Sequence, residues 1–189
     1  QFLLFFSLFI SFINRNKILH VANSCTIYKN KLISLIIGKK KYVVNNGFYP
    51  ISSIDKDSIL DIVGVDNLQL LYVARFSPEK GYKLLFKVLR KLKFKFKITL
   101  VGMGCSKNNK YFMREISKLN CDYQFLESTN NLEALFRNSH YTLLFSRSEA
   151  SPNGIFESMI QGTPCITTPV GNANEIISNF GWVADDFKI

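Results

Sequence analysis

The chain has 189 residues, enough to bury one full hydrophobic core and too few for two complete domains. Aliphatic and aromatic side chains make up 47% of it and charged ones 20%, which excludes an intrinsically disordered chain. The formal net charge is +10, and the excess lies in the first half: residues 1–97 hold 17 Lys and Arg against 5 Asp and Glu, whereas residues 98–189 hold 7 against 9.

The sequence opens on Gln1 rather than Met, so translation is expected to begin upstream. Phe2 to Ile13 is apolar except for Ser7 and Ser11. Such a run is too short to span a bilayer and has no basic region before it, so it reads as a core helix or the apolar face of a further domain, with the tail of a membrane segment as the alternative. Lys17 to Ala22 is a short strand candidate. A polar stretch then leads to the apolar run Leu32 to Ile37, which Gly38 stops. Residues 1–41 carry seven basic residues and no acidic one, and Lys39, Lys40 and Lys41 suit contact with an anionic membrane surface. Charge alone also permits nucleic acid, but no nucleic-acid module is present. Lys41 to Val44 reads as a strand, followed by the turn Asn45-Asn46-Gly47. A boundary is placed near residue 41, giving a segment 1–41 and a domain 42–189. Asp55-Lys56-Asp57 has the form of a metal-binding D-x-D triplet, yet it stands just before Ser58 to Val63, where acidic residues serve as helix caps. The cap is the preferred reading.

From Leu68 onward strands and helices alternate. Leu68 to Ala74 is an apolar strand, Arg75 to Gly81 a polar loop, and Leu85, Val88, Leu89 and Leu92 recur at helical spacing. Ile98 to Val101 is a strand, Asn109 to Leu119 a helix, Asp122 to Leu126 a strand, Asn131 to Phe136 a helix and Tyr141 to Phe145 a strand. A helix beginning near Asn153 or Gly154 and ending at Gly162 follows, then a strand from Pro164 to Thr168, a helix from Asn172 to Ser178 and a strand at Gly181-Trp182-Val183. Repeated βα units specify an α/β fold with a parallel sheet and helices on both faces. Such sheets bind ligands at the carboxyl ends of their strands, where the loops Arg75 to Gly81 and Ser146 to Gly154 fall.

Those two loops hold the chemistry. Glu149 and Glu157 flank a helix start whose backbone N–H groups attract anions, an arrangement suited to a ligand with both hydroxyls and phosphates. Arg75 offers a planar fork and Lys80 a point charge for phosphate oxygens. Gly102-Met103-Gly104 begins like a dinucleotide fingerprint, but position 107 is Lys where a third glycine belongs, which argues against a nicotinamide site. Cys25, Cys105, Cys121 and Cys165 form no Cys-x-x-Cys pair and are expected as free thiols of a reducing compartment. With His20 and His140 the only histidines, no metal site is expected.

Val73-Ala74-Arg75-Phe76-Ser77-Pro78-Glu79-Lys80-Gly81, Leu100-Val101-Gly102-Met103-Gly104, and Ser146 to Glu157 with its two glutamates eight positions apart occur in that order. Gly162-Thr163-Pro164 and Pro169-Val170-Gly171-Asn172 to Glu175-Ile176-Ile177 follow, and Val43-Val44-Asn45-Asn46-Gly47 precedes them. As a set they resemble the retaining, GT-B-fold glycosyltransferases of the group 1, or family-four, class. The resemblance covers about residue 42 to the end and implies the C-terminal, Rossmann-like half of a GT-B fold, with residues 1–41 a remnant of the N-terminal acceptor-side domain. It implies a nucleotide-diphosphate sugar as donor, an acceptor that is a glycan, lipid or small molecule, no metal and no other cofactor, and transfer with retention in glycan or glycolipid synthesis. Arg75 and Lys80 match the positions that hold the diphosphate, Glu157 the carboxylate on the ribose hydroxyls, and Glu149 the one beside the sugar. Ser151, Asn153, Gly154 and Gly102 are the further binding positions. Ala74 and Ala150 replace frequent glycines and Ser158 a frequent alanine. The expected location is cytoplasmic, with the basic segment against the inner membrane surface. Two other readings remain: a non-catalytic binding module or subunit completed by a second polypeptide, and a GT-B sugar-nucleotide epimerase or phosphorylase.

Overall fold

The structure is a computed structural model that describes residues 13, 17, 19–29, 31–37, 40–44, 46, 66–177 and 180–185. Residues 2–12 of the opening apolar run, the Asp55-Lys56-Asp57 triplet and the helix expected after it lie outside the described residues. The chain divides into two compact units, 1–47 and 48–189.

In the first unit, strands β1 (His20–Ala22) and β2 (Lys41–Val43) pair in parallel. Parallel neighbours need a crossover between them, and here it holds a 3₁₀ turn, Cys25–Lys29, and helix α1 (Lys31–Ile36). Tyr28 fastens the pair, its hydroxyl lying 3.0 Å from the His20 carbonyl and 2.9 Å from that of Tyr42.

In the second unit, the apolar runs form six strands: β3 (Leu68–Val73), β4 (Phe96–Val101), β5 (Asp122–Leu126), β6 (Tyr141–Leu144), β7 (Cys165–Thr167) and β8 (Gly181–Val183). All their pairings are parallel and the spatial order is β5-β4-β3-β6-β7-β8. The helices between them are α2 (Tyr82–Leu89), α3 (Lys110–Ile116), α4 (Leu132–Arg137), α5 (Asn153–Ile160) and α6 (Ala173–Ile177). Successive strand residues point to opposite faces, and the core divides accordingly. Leu70 and Tyr72 of β3 pack with Leu85 and Phe86 of α2 and Phe112 and Ile116 of α3. Leu71 and Val73 pack on the other face with Phe136 of α4, and Ile155 of α5 packs with Cys165, Ala173 and Ile177. The sheet is thus covered on both faces, which is why its central strands read as continuous apolar runs.

The strand order is that of the doubly wound, Rossmann-like α/β fold. The chain proceeds from β3 outward to β5, then returns to the other side of β3 with β6. Neighbouring strands β3 and β6 therefore send their following connections in opposite directions, and a crevice opens at their carboxyl ends. Both loops singled out in the sequence leave from those two ends. Helix boundaries moved by one to three residues: α3 stops at Ile116, three residues before Leu119, and α2 stops at Leu89, leaving Leu92 in the turn beyond it.

Candidate active site

Ala74 leaves β3 with its amide on the Val101 carbonyl at 2.8 Å, and Phe76 donates to the Met103 carbonyl at 2.7 Å, so the loop starts along the end of β4. It turns back through a 3₁₀ turn at Pro78–Lys80 and closes at Gly81, whose φ of 70° few other residues adopt. Gly81 is also pressed against the second loop. A Cβ there would lie 1.8 Å from the Phe145 carbonyl oxygen. The two loops are joined again by the Arg147 amide, which donates to the Glu79 carbonyl at 2.7 Å. Beneath them, the buried Tyr72 hydroxyl donates to the Lys80 carbonyl, and Tyr82 donates to the Ala74 carbonyl at 2.6 Å.

Lys80 Nζ lies 2.5 Å from Glu149 Oε1, with 26% and 17% of the two side chains exposed. Ser146 Oγ donates to the same carboxylate oxygen at 2.8 Å. Ser146 is held in turn, because Thr168 Oγ1 donates to its carbonyl at 2.6 Å. Gly171 supports the Glu149 segment from below, where a Cβ would meet the carbonyls of Ala150 and Glu149 at 2.5 and 2.8 Å.

Helix α5 begins beside this pair. Pro152 occupies its N-cap position, and no side chain caps the helix. The Ile155 amide closes the first turn on the Pro152 carbonyl at 3.2 Å, and the positive end of the helix dipole still favours an anion here. Ser151 is buried, and its Oγ has no hydrogen-bond partner among the described residues. An orphaned buried hydroxyl costs stability unless a ligand pairs with it.

Lys80, Glu149, Ser151, Asn153 and Gly154 line one cavity of about 160 Å³, floored by Tyr72, Leu143 and Leu144 and flanked by Ala74 and Ser146. Five of the residues singled out in the sequence therefore meet at one point, the crevice between β3 and β6. Three others lie outside this lining. Gly102 follows β4 and lies against Ala74, where a Cβ would be 2.1 Å from the Ala74 carbonyl oxygen. Arg75 is exposed and bonded to Glu79 at 2.7 Å. Glu157 lies one helical turn along α5 from Asn153 and hence on the same face. It is half-buried, burial pushes its carboxyl above the usual glutamate range, and among the described residues no hydrogen bond or ion pair engages it. A carboxylate so placed is ready to accept from hydroxyl groups.

Ser146, Tyr72, Thr168 and Gly171 were assigned no role from the sequence. Tyr72 reads there as one more apolar strand residue, and nothing local distinguishes Thr168. The hydroxyl of Ser158 is also explained only by packing: it is fully buried, 2.7 Å from both Thr142 Oγ1 and the Thr163 carbonyl, and so ties α5 to β6. Among the described side chains, the thiols offer no competing chemistry. Cys105, Cys121 and Cys165 are free, and burial pushes Cys121 and Cys165 up to about 11, so they stay protonated and weakly nucleophilic near neutral pH. Among the described residues there is no cluster of three or more potential metal ligands, and no helix is long and apolar enough to cross a membrane.

Solved structures share this architecture. The Anabaena protein HepE, crystallised with UDP and glucose, is 22% identical with a TM-score of 0.72 over 90% of this chain and 50% of its own. A glycosyltransferase from Rickettsia africae is 23% identical with a TM-score of 0.67 over 88% and 48%. Sucrose-phosphate synthase from Thermosynechococcus elongatus is 20% identical with a TM-score of 0.64 over 88% and 45%. The chain spans about half the length of these proteins. No curated protein matches the sequence. The family described as "Glycosyl transferases group 1" matches residues 59–187, more than half of the chain and the whole of the six-stranded sheet, and the chain belongs to that family.

Proposed function

We propose that the chain is the donor-binding half of a glycosyltransferase that takes a sugar from a nucleotide-diphosphate donor. One observation carries the reading: the uncapped start of α5, the unpartnered Ser151 hydroxyl and the Lys80–Glu149 pair converge on a single cavity at the switch point of the sheet. The diphosphate lies at the helix start, whose dipole favours it, with Ser151 donating to it and Lys80 neutralising it. Arg75 joins by exchanging Glu79 for a phosphate oxygen. Glu157 accepts from the ribose hydroxyls, and Glu149 faces the sugar. Breaking the sugar–phosphate bond develops positive character on the sugar and negative charge on the departing diphosphate. Fixed donors and a cation in a partly dry site stabilise the second charge at little reorganisation cost. Because Lys80, Arg75 and the helix end supply this stabilisation, the reaction we propose needs no metal and no further cofactor.

The finer reading follows the resemblance: transfer with retention of configuration, in glycan or glycolipid synthesis, to an acceptor held mainly by the other half of the enzyme. The segment that carries β1 and β2 belongs to that acceptor-side half, and the six-stranded sheet with its helices is the donor domain. The enzyme is placed in the cytoplasm, with Lys39, Lys40 and Lys41 against the anionic membrane surface. HepE has been solved with UDP-glucose as well as with UDP, which makes UDP the first donor fragment to test.

Calorimetry with UDP and UDP-glucose tests the donor site. Binding is expected, and Lys80→Ala, Ser151→Ala and Glu157→Ala are each expected to weaken it by about tenfold, the worth of one charge-assisted or buried hydrogen bond. Failure of UDP and the other nucleoside diphosphates to bind, or affinities unchanged in all three variants, would overturn the assignment. For the complete enzyme, the anomeric configuration of the product, read by NMR, decides retention.

A further inference from the structure

A second cavity, of about 310 Å³, lies on the other side of the Pro78–Lys80 turn. Phe76, Tyr82 and Tyr111 form its walls, Pro78 its border with the donor pocket, and Lys83 and Arg147 its charged residues. It is therefore apolar in lining and cationic in charge. Lys83 and Arg147 are exposed, and among the described residues neither takes part in an ion pair. The carboxylates nearest in sequence, Glu79 to Lys83 and Glu149 to Arg147, are engaged with Arg75 and Lys80 and do not line the cavity.

The aromatic wall is braced. The Phe76 ring lies 4.6 Å from that of Tyr82, 5.5 Å from Phe112 and 5.9 Å from Tyr111. Tyr111 remains 46% exposed, with the Arg114 guanidinium 4.9 Å from its ring centre. The Pro78–Lys80 turn separates the two cavities, with Lys80 facing the first and Pro78 the second, and Tyr72 and Arg147 hold its backbone in place.

These features select a ligand class. Aromatic faces stack on the C–H faces of a sugar ring, and the volume suits one such ring. An uncharged apolar ligand would displace water from two cations without giving them a partner. An anionic group on the ring supplies that partner, and the Arg147 fork suits a phosphate or carboxylate.

We propose that this cavity is a subsite for an anionic sugar ring, a sugar phosphate or a uronic acid, presented by the acceptor beside the donor pocket. Its place in the reaction rests on the donor-site reading above; the binding itself does not.

The test titrates the chain with glucose 6-phosphate, glucuronate and uncharged glucose, with and without saturating UDP, by calorimetry and ligand-observed NMR. The two anions are expected to bind with dissociation constants of about 1 mM or tighter, and glucose at least about tenfold more weakly. Lys83→Ala/Arg147→Ala should weaken the anions by about tenfold or more, and Tyr111→Ala by about fivefold, with UDP affinity unchanged. These side chains are exposed, so the variants fold. Lys91→Ala/Lys95→Ala removes the same charge elsewhere and should change nothing. Phosphate and carboxylate sources are told apart by which of the two anions binds more tightly. The proposal is overturned if neither anion binds, if glucose binds as well as both, if the two double variants behave alike, or if UDP displaces the anions. If UDP fails to bind while the anions bind through Lys83 and Arg147, the donor reading falls and this subsite stands.

Discussion

Lys80 and Glu149 are joined across 69 positions of sequence and mostly withdrawn from solvent. Removing one partner of a fully buried pair costs about 3–5 kcal/mol, because the other charge is left unpaired. Here solvent still reaches 26% and 17% of the side chains, and Ser146 keeps its hydrogen bond to the carboxylate. The cost of Lys80→Met should accordingly fall to about 2 kcal/mol, a decrease of about 4–8 °C in Tm for a chain of this size. Removing both charges, in Lys80→Met/Glu149→Leu, takes away the unpaired carboxylate and should recover at least about 1 kcal/mol of that loss. Urea titration of the wild type, both single variants and the double variant closes the cycle, provided the denaturant slope is constant. The reasoning fails if Lys80→Met lies within about 0.5 kcal/mol of wild type, or if the double variant is no more stable than Lys80→Met.

The same pair has a consequence for binding. Glu149 competes with phosphate for Lys80, so Glu149→Gln should bind UDP roughly fivefold more tightly, about 1 kcal/mol, while losing sugar transfer in the complete enzyme; unchanged or weaker UDP binding by calorimetry would count against the competition. Glu157 should trade stability for binding. Its carboxyl is raised by burial, so the folded state holds the proton more tightly than the unfolded one, and the wild type should lose stability as pH rises from the ordinary glutamate range through the folded value. Glu157→Gln removes that slope and should melt higher than wild type near neutral pH; a wild-type melting curve flat over that interval would contradict the sign. Gly81→Ala combines a left-handed backbone with a Cβ 1.8 Å from the Phe145 carbonyl oxygen, so a loss of about 3 kcal/mol is expected as the loops separate. Thermal unfolding and UDP titration should show stability and affinity falling together, and a Tm within about 2 °C of wild type would show that the loops accommodate it.

The alternation of apolar runs with helical periodicity from Leu68 onward was sufficient to specify a parallel α/β sheet, because short buried strands and amphipathic helices have different periods and each signal is local. The two loops were legible for the same reason. Gly81, Pro152 and Gly154 are local turn and helix-start chemistry, and the charged residues beside them stand out against apolar strands. Motif order then extended this to the family. Side-chain partners were not legible. Lys80 and Arg75 read alike in sequence, as two cations of one loop, yet only Lys80 enters the cavity lining, while Arg75 bonds its own i+4 neighbour Glu79.

What the sequence by itself determined is the set of elements and the chemistry present at their ends. Backbone propensity, apolar period and residue type act over a few positions and need no partner. What only the tertiary structure decided is which of those ends meet. The order β5-β4-β3-β6-β7-β8 places β3 beside β6, and that adjacency brings Lys80 to Glu149, sets the Ser146 hydroxyl against the carboxylate and buries Ser151 without a partner among the described residues. It also sets Phe76 and Tyr111 beside Arg147. Contacts across so many positions depend on the packing of both sheet faces together, and no local pattern in the chain encodes them.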